Sequence, residues 1–195
     1  MSMPIDERWD IAGSAYVSGD FAKAKALFDE LINESPHSLY GIGARYLRAR
    51  GFEDGIFSAE PDLQKAYDDF ALVREHADEY GSDGTLGCAR VLFEMDRISN
   101  RDDIISLCSE AIAQDSNVKA MMLLGNVYQD VLKDGKSARR WYLNAFWRGL
   151  PWGMRFFARS HANDGNVVRA ALAHAVATVA SPFLVLRYGV RWPLK

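Results

Sequence analysis

Apolar and small residues recur every three to four positions through most of this chain, the period of amphipathic helices, and short polar turns interrupt the recurrence. The clearest stretch runs from Lys119 to Gly149. Its first apolar run includes Leu124-Gly125 and Tyr128, its second Ala138, Trp141-Tyr142 and Ala145, and Asp134-Gly135 lies between them. Two helices joined by a tight turn are expected. Gly125 and Ala138 would let them approach closely, while Leu124, Tyr128, Trp141 and Tyr142 fill the flanks. A hairpin with one apolar face left over cannot bury that face alone and needs neighbours of its own kind.

The same pattern divides the rest of the chain into hairpins over residues 5–36, 38–80, 82–115, 117–149 and 151–182, with a cap over 183–195. In the first, Phe21, Ala24, Leu27, Phe28, Leu31 and Ile32 form the buried stripe, Gly19-Asp20 the turn, and Ser35-Pro36 the stop, because proline disfavours helix in the residue before it. The second has a helix over 38–50, a loop over 51–60 containing Phe52 and Phe57, and a helix over 62–80 opened by Pro61. Loops of that length are sometimes functional; the favoured expectation is that both phenylalanines tuck under a neighbouring helix. The third carries a close-approach patch, Leu86-Gly87-Cys88-Ala89. Ser181-Pro182 is expected to end the last long helix.

Leu124-Gly125-x-x-Tyr128, followed by Ala138-x-x-Trp141-Tyr142-x-x-Ala145-x-x-x-Gly149, resembles a tetratricopeptide-type repeat, leaning toward the related Sel-like repeats. Ala12, Gly19-Asp20, Ala24, Phe28 and Ser35-Pro36 fall in the same order, as do Ala158, Gly165, Ala170, Ala177 and Ser181-Pro182. In the third hairpin Ile104 and Cys108 depart from it. The resemblance implies an all-α, right-handed superhelical solenoid of about five helix-turn-helix repeats with a C-terminal capping helix, forming a single domain. It also implies a concave face, lined by the first helix of each pair, that receives a peptide or protein. Asn126 stands where peptide-binding members often carry an asparagine that holds a ligand backbone. Tyr40, Met122, Asn126, Gln129, Trp152, Arg155 and Arg159 are thus the candidate partner-binding residues, with Trp9 and Tyr16 beside them; Tyr40 and Met122 have core packing as an equal alternative.

Composition adds little to the fold and more to the partners. With 195 residues, 12% aromatic and 25% charged, the chain can bury a sizeable core. The formal net charge of −3 conceals a division: residues 116–195 carry 12 Lys and Arg against 3 Asp and Glu, residues 1–115 carry 11 against 23. The basic third is also aromatic, with Trp147, Trp152, Phe156, Phe157 and Trp192. Such a surface suits an acidic protein or an anionic membrane; nucleic acid is disfavoured by the acidic remainder. Residues 167–186 are apolar enough to raise a membrane span, but Arg169, His174, Pro182 and the repeat frame favour a buried helix. Cys88 and Cys108, both in apolar contexts, suggest packing in a reducing compartment, and a start without a basic flank or apolar stretch suggests a cytoplasmic protein, with membrane association open.

No catalytic constellation, cofactor motif or metal-ligand set is apparent. Gly135-Lys136-Ser137 lacks the first glycine of a phosphate-cradling loop. Asp68-Asp69 and Asp102-Asp103 are adjacent, so they point apart on a helix and are expected to be solvated faces or caps. The tetratricopeptide frame could bring His161 and His174 together, but a metal would need further ligands, and packed or rim histidines are favoured over a pH-sensitive contact. The expected role is a non-catalytic scaffold or adaptor; the alternative is a peripheral protein whose basic, aromatic end binds anionic lipid.

Overall fold

The computed structural model describes residues 3–76 and 80–188, and every regular element among them is helical. Two compact units, Met1–Asp96 and Arg97–Lys195, divide the chain. The division falls inside the third expected hairpin, between its two helices.

The first unit comprises α1 (Ile5–Ser18), α2 (Phe21–Glu34), α3 (Leu39–Glu53), α4 (Leu63–Arg74) and α5 (Gly81–Asp96), each packed against the next in sequence. Side chains at the turns start the helices as the sequence leads one to expect. The carboxylate of Asp20 accepts from the Lys23 amide, the Ser38 hydroxyl from Gly41 and the Asp62 carboxylate from Lys65, satisfying donors that a helix leaves open. Ala12, Ala24, Phe28, Leu31 and Ala44 are fully buried, and Trp9, Tyr16, Leu47 and Phe57 close around them.

Helix α3 runs three residues beyond Arg50, so Phe52 lies in the helix and the connecting loop is shorter than expected. Phe57 does tuck under, with its ring 6.4 Å from Phe28 and 6.1 Å from Tyr16. Gly51 makes room for it: a methyl there would lie 2.7 Å from Phe57 Cζ. Helix α4 stops at Arg74 rather than running to 80, and residues 77–79 of that expectation lie outside the described residues.

Asp69 is not a solvated residue. It is 5% exposed, and the Arg48 guanidinium donates to both its oxygens, at 2.8 and 2.7 Å. Arg48 also donates to Asp29 of α2 at 2.6 Å, and Arg45 reaches Asp69 at 3.4 Å. Glu53, likewise 5% exposed, takes two bonds from Arg90 of α5, at 2.6 and 2.5 Å. Bidentate geometry of this kind offsets the desolvation of a buried carboxylate. Asp69 escaped the sequence reading because its partner stands 21 residues away on another helix. Asp102 and Asp103 are, as expected, exposed in the first turn of a helix.

The second unit comprises α6 (Arg101–Asp115), α7 (Val118–Asn126) continued by a π-helical turn (Val127–Val131), α8 (Gly135–Trp147), α9 (Trp152–Asn163) and α10 (Val167–Tyr188). Here too each helix packs on its sequence neighbour. Ala138 and Ala145 are fully buried, and Tyr142 is 2% exposed. The room at Gly125 is occupied by the Tyr142 ring, since a methyl there would lie 2.7 Å from Cδ1; the α8 backbone comes closest elsewhere, at Gly153 of α9, where a methyl would lie 2.7 Å from the Phe146 amide nitrogen. Tight backbone contact thus joins one expected repeat to the next, and a ring fills the hairpin interior.

Helix α10 does not break at Ser181-Pro182. It continues to Tyr188 with Pro182 inside it, so the expected separate cap begins within α10, and residues 189–195 lie outside the described residues. Proline frees one carbonyl in a helix; Pro182 is exposed, where water can satisfy it. No helix among the described residues is long and apolar enough to cross a membrane. Cys88 and Cys108 are buried and form no disulfide, and burial pushes the Cys108 thiol up to about 12.

Two stability effects follow. Gly125→Val must displace the buried Tyr142 ring and should cost about 1–3 kcal/mol. Asp69→Ala, which leaves Arg48 half-paired in a largely buried setting, should cost about 3–5 kcal/mol. Chemical denaturation of the purified variants checks both; values within experimental error of the parent protein would contradict these packing assignments.

Candidate functional site

The second unit gathers three of the candidate residues into one cleft. Asn126 ends α7, Gln129 lies in the π turn, and Arg159 projects from α9, two helices further on. Between them is a cavity of about 40 Å³, closed also by Asp130, Tyr142, Phe156, Ser160 and Asn163. A cavity of that size admits a water or one small polar group. The π turn shapes one wall: Leu132 donates to the Val127 carbonyl at 3.0 Å, five residues back, and the extra residue per turn re-aims the side chains that follow Asn126.

The polar groups of the cleft are unequally satisfied. The buried Tyr142 phenol donates to Asn126 Oδ1 at 3.0 Å, so Asn126 is engaged in holding α7 to α8. Burial first, and the Asp130 carboxylate second, push the pKa of that phenol up, with Arg159 opposing. Gln129 Oε1 is buried and accepts no hydrogen bond. Arg159 is exposed and, among the described residues, forms no ion pair. An acceptor without a donor and a cation without an anion therefore belong to two residues that line one small space.

The remaining candidates lie apart from that space. Trp152 and Arg155, two turns and one turn before Arg159 on α9, stack on each other with the guanidinium 4.8 Å above the indole. Met122 is half-buried one turn before Asn126, outside the cavity lining. In the first unit the half-buried ring of Tyr40 lies 6.2 Å from Trp9, which itself packs on Phe28. Tyr16 packs among Phe21, Phe28 and Phe57. Among the basic residues, Arg139 is tied to Asp164 and donates to Ser160 at 3.2 Å, whereas Arg140, Arg148, Arg155, Arg159 and Arg169 are exposed. Sequence reasoning placed Phe156 in the basic, aromatic surface and missed Ser160 and Asn163, although with Arg159 all three fall three to four residues apart on one face of α9. Tyr142 was assigned to packing alone.

Among the described residues, no group of three or more His, Cys, Asp or Glu is placed to hold a metal ion.

No protein-family model matches the chain, and no curated protein matches it by sequence. Solved structures do. One structure of MamA, a tetratricopeptide-like helical-repeat protein, is 15% identical and superposes with a TM-score of 0.65 over 96% of this chain and 97% of its own. A second MamA structure is also 15% identical, with a TM-score of 0.65 over 91% and 95%. BtubC (BKLC) from P. vanneervenii is 12% identical, with a TM-score of 0.70 over 98% of this chain and 83% of its own. At such identities the likeness establishes the fold alone, an all-α helical-repeat solenoid.

His161 borders the cleft through its neighbour Ser160. It is 8% exposed, with its ring 4.8 Å from Phe157, while His174 is exposed on α10. Burial, then the charges of Arg139 and Arg169, hold the His161 pKa below the usual imidazole value, against a smaller opposing effect of Asp164. The fold therefore favours neutral imidazole. Its contribution to stability is complete above the unfolded pKa of about 6.5 and is lost as pH falls below it. The parent protein should lose stability between about pH 7.5 and about pH 5.5 in urea titrations, and His161→Gln should flatten part of that slope. An unchanged slope would contradict the assignment.

Proposed function

We propose that this protein is a non-catalytic interaction scaffold and that the cleft between α7 and α9 holds one peptide group of a partner's extended segment. The observation that supports this reading is the pairing of the unsatisfied Gln129 Oε1 with the unpaired Arg159. A peptide bond offers a donor and an acceptor on its opposite edges, and so can bridge the two. The stacked Trp152 and Arg155, on the same helix, would extend contact along the segment.

Asn126 carries a different share than its position in the repeat suggests. Removing its side chain would orphan the buried Tyr142 hydroxyl, which costs about 1–3 kcal/mol, so Asn126→Ala confounds binding with stability. Arg159 and Gln129 are the cleaner probes.

A second reading, an anionic lipid surface, is favoured by Trp147, 63% exposed beside the exposed Arg148 at the end of α8. Flotation with phosphatidylserine vesicles against neutral ones at low salt separates the two.

For the peptide reading, the immobilised protein is panned against a random peptide library, and the recovered peptides are titrated by fluorescence anisotropy. Arg159→Ala and Gln129→Leu should each weaken binding about tenfold or more, the loss of one charge-assisted or otherwise orphaned hydrogen bond. Arg159→Ala should leave stability within about 0.5 kcal/mol. Undiminished affinity in both variants would remove the cleft from the binding surface.

A further inference from the structure

Helix α10 has two unlike faces. Ala170, Ala173 and Ala177 are buried, the latter two in a cluster with Met154 and Ala158 of α9. On another side Val168, Leu172, Val179 and Phe183 are 63 to 72% exposed, and Val176 between them is 45% exposed. Steps of four, four, three and four residues align these five into one stripe, about 22 Å long at 1.5 Å per residue. Scattered apolar side chains are ordinary on a protein surface, whereas a continuous stripe marks a contact. The charge around it has one sign: residues 135–188 carry eight Lys and Arg against a single carboxylate, Asp164, which is already tied to Arg139.

Helix α1 is the counterpart. An open groove of about 440 Å³ runs along it, lined by Ile11 and Ala15 with Ser14 and Ser18, and by the acidic Glu7, Asp10 and Asp20 against a single cation, Lys23. Its lining residues on α1 run from Glu7 to Ser18, about 16 Å along the helix axis. The unit that bears the groove carries 9 Lys and Arg against 19 Asp and Glu, and the unit that bears the stripe carries 14 against 7.

We infer that the α10 stripe of one copy docks in the α1 groove of a second copy. An apolar ridge on a basic unit meets a groove that offers apolar surface within an acidic rim. Pairing two α10 stripes would instead bring two basic units together. A membrane could take up the stripe, but it leaves the acidic groove without a role. Because the two patches differ, the contact is heterologous: a docked pair still offers one free groove on one copy and one free stripe on the other, so assembly proceeds beyond a dimer.

The test uses the full chain in sedimentation velocity from about 1 μM to about 1 mM, the range of contacts worth roughly 8 to 4 kcal/mol. The parent protein should show a weight-average mass that passes twice the monomer's as concentration rises and falls back at high salt. Two double variants each disable one patch at exposed positions, Leu172→Glu with Val179→Glu, and Glu7→Lys with Asp10→Lys; circular dichroism confirms that both are folded. Each alone should remain monomeric. Mixed, they should form a one-to-one dimer and nothing larger, because each retains one intact patch. A parent protein monomeric throughout would overturn the inference, as would self-association of the Glu7→Lys, Asp10→Lys variant, or no dimer in the mixture. Phosphatidylserine-vesicle flotation of a monomeric parent protein, lost in the Leu172→Glu, Val179→Glu variant, would assign the stripe to lipid instead.

Discussion

An aromatic ring seated over a glycine of the neighbouring helix is the contact on which the packing of each unit turns. In the second unit the ring is Tyr142 over Gly125, and in the first it is Phe70 over Gly87, where a methyl would lie 2.7 Å from Phe70 Cε1. Both rings are almost wholly buried, at 2% and 0% exposure. Removing a Cβ lets a large apolar surface sit where a small one would otherwise hold the helices apart, so burial and helix spacing are fixed together. Dense cores respond poorly to added volume. The glycines are therefore as specific as the rings, although neither residue type alone looks decisive in a sequence.

Charge is distributed by the same packing. Arg45, Arg48, Arg50 and Arg90 account for four of the nine cations of the first unit, and each is bonded to a carboxylate between or along helices. Those cations are drawn inward and the acids left outside, at Glu7, Asp10 and Asp20 among others, go unanswered. In the second unit the balance is reversed: Asp164 is taken by Arg139, and seven arginines are exposed among the described residues. A fold needs only that buried charges be paired. Opposite surplus on the two units is an excess beyond that need, and such an excess acts on partners and on association rates.

Much of this was legible in the chain itself, for local reasons. Gly19-Asp20, Ser38, Asp62 and Asp134 mark helix starts because capping is settled within a few residues. What escaped depends on groups distant in sequence or on backbone detail without a residue code. The burial of Asp69 requires Arg48 on another helix. Pro182 reads as a stop, yet its exposure on the outer side of α10 lets the helix continue. The π turn at Val127–Val131 carries no mark in its residues, and with it went the orphaned state of Gln129. Asn126 was found by position but not by duty: the frame that singled it out could not reveal that Tyr142 would claim its oxygen.

That claim shapes what the cleft can recognise. Asn126 keeps two amide donors and a second lone pair on Oδ1, but its orientation is fixed by Tyr142; the acceptor without any partner is Gln129 Oε1 and the charge without one is Arg159. A space of about 40 Å³ accepts one polar group and no side chain of any bulk. In the proposed role, then, the cleft sets the register of a segment without selecting its residues, because every peptide bond presents the same donor and acceptor. Selectivity has to arise from the flanking surface, where Trp152 and Arg155 stack two turns and one turn away and offer an apolar plane carrying a cation. Such a surface favours an aromatic or acidic side chain over a basic one. The acidic half of a second copy and an acidic partner would then compete for adjoining parts of one basic unit, which couples self-association to partner binding through charge alone.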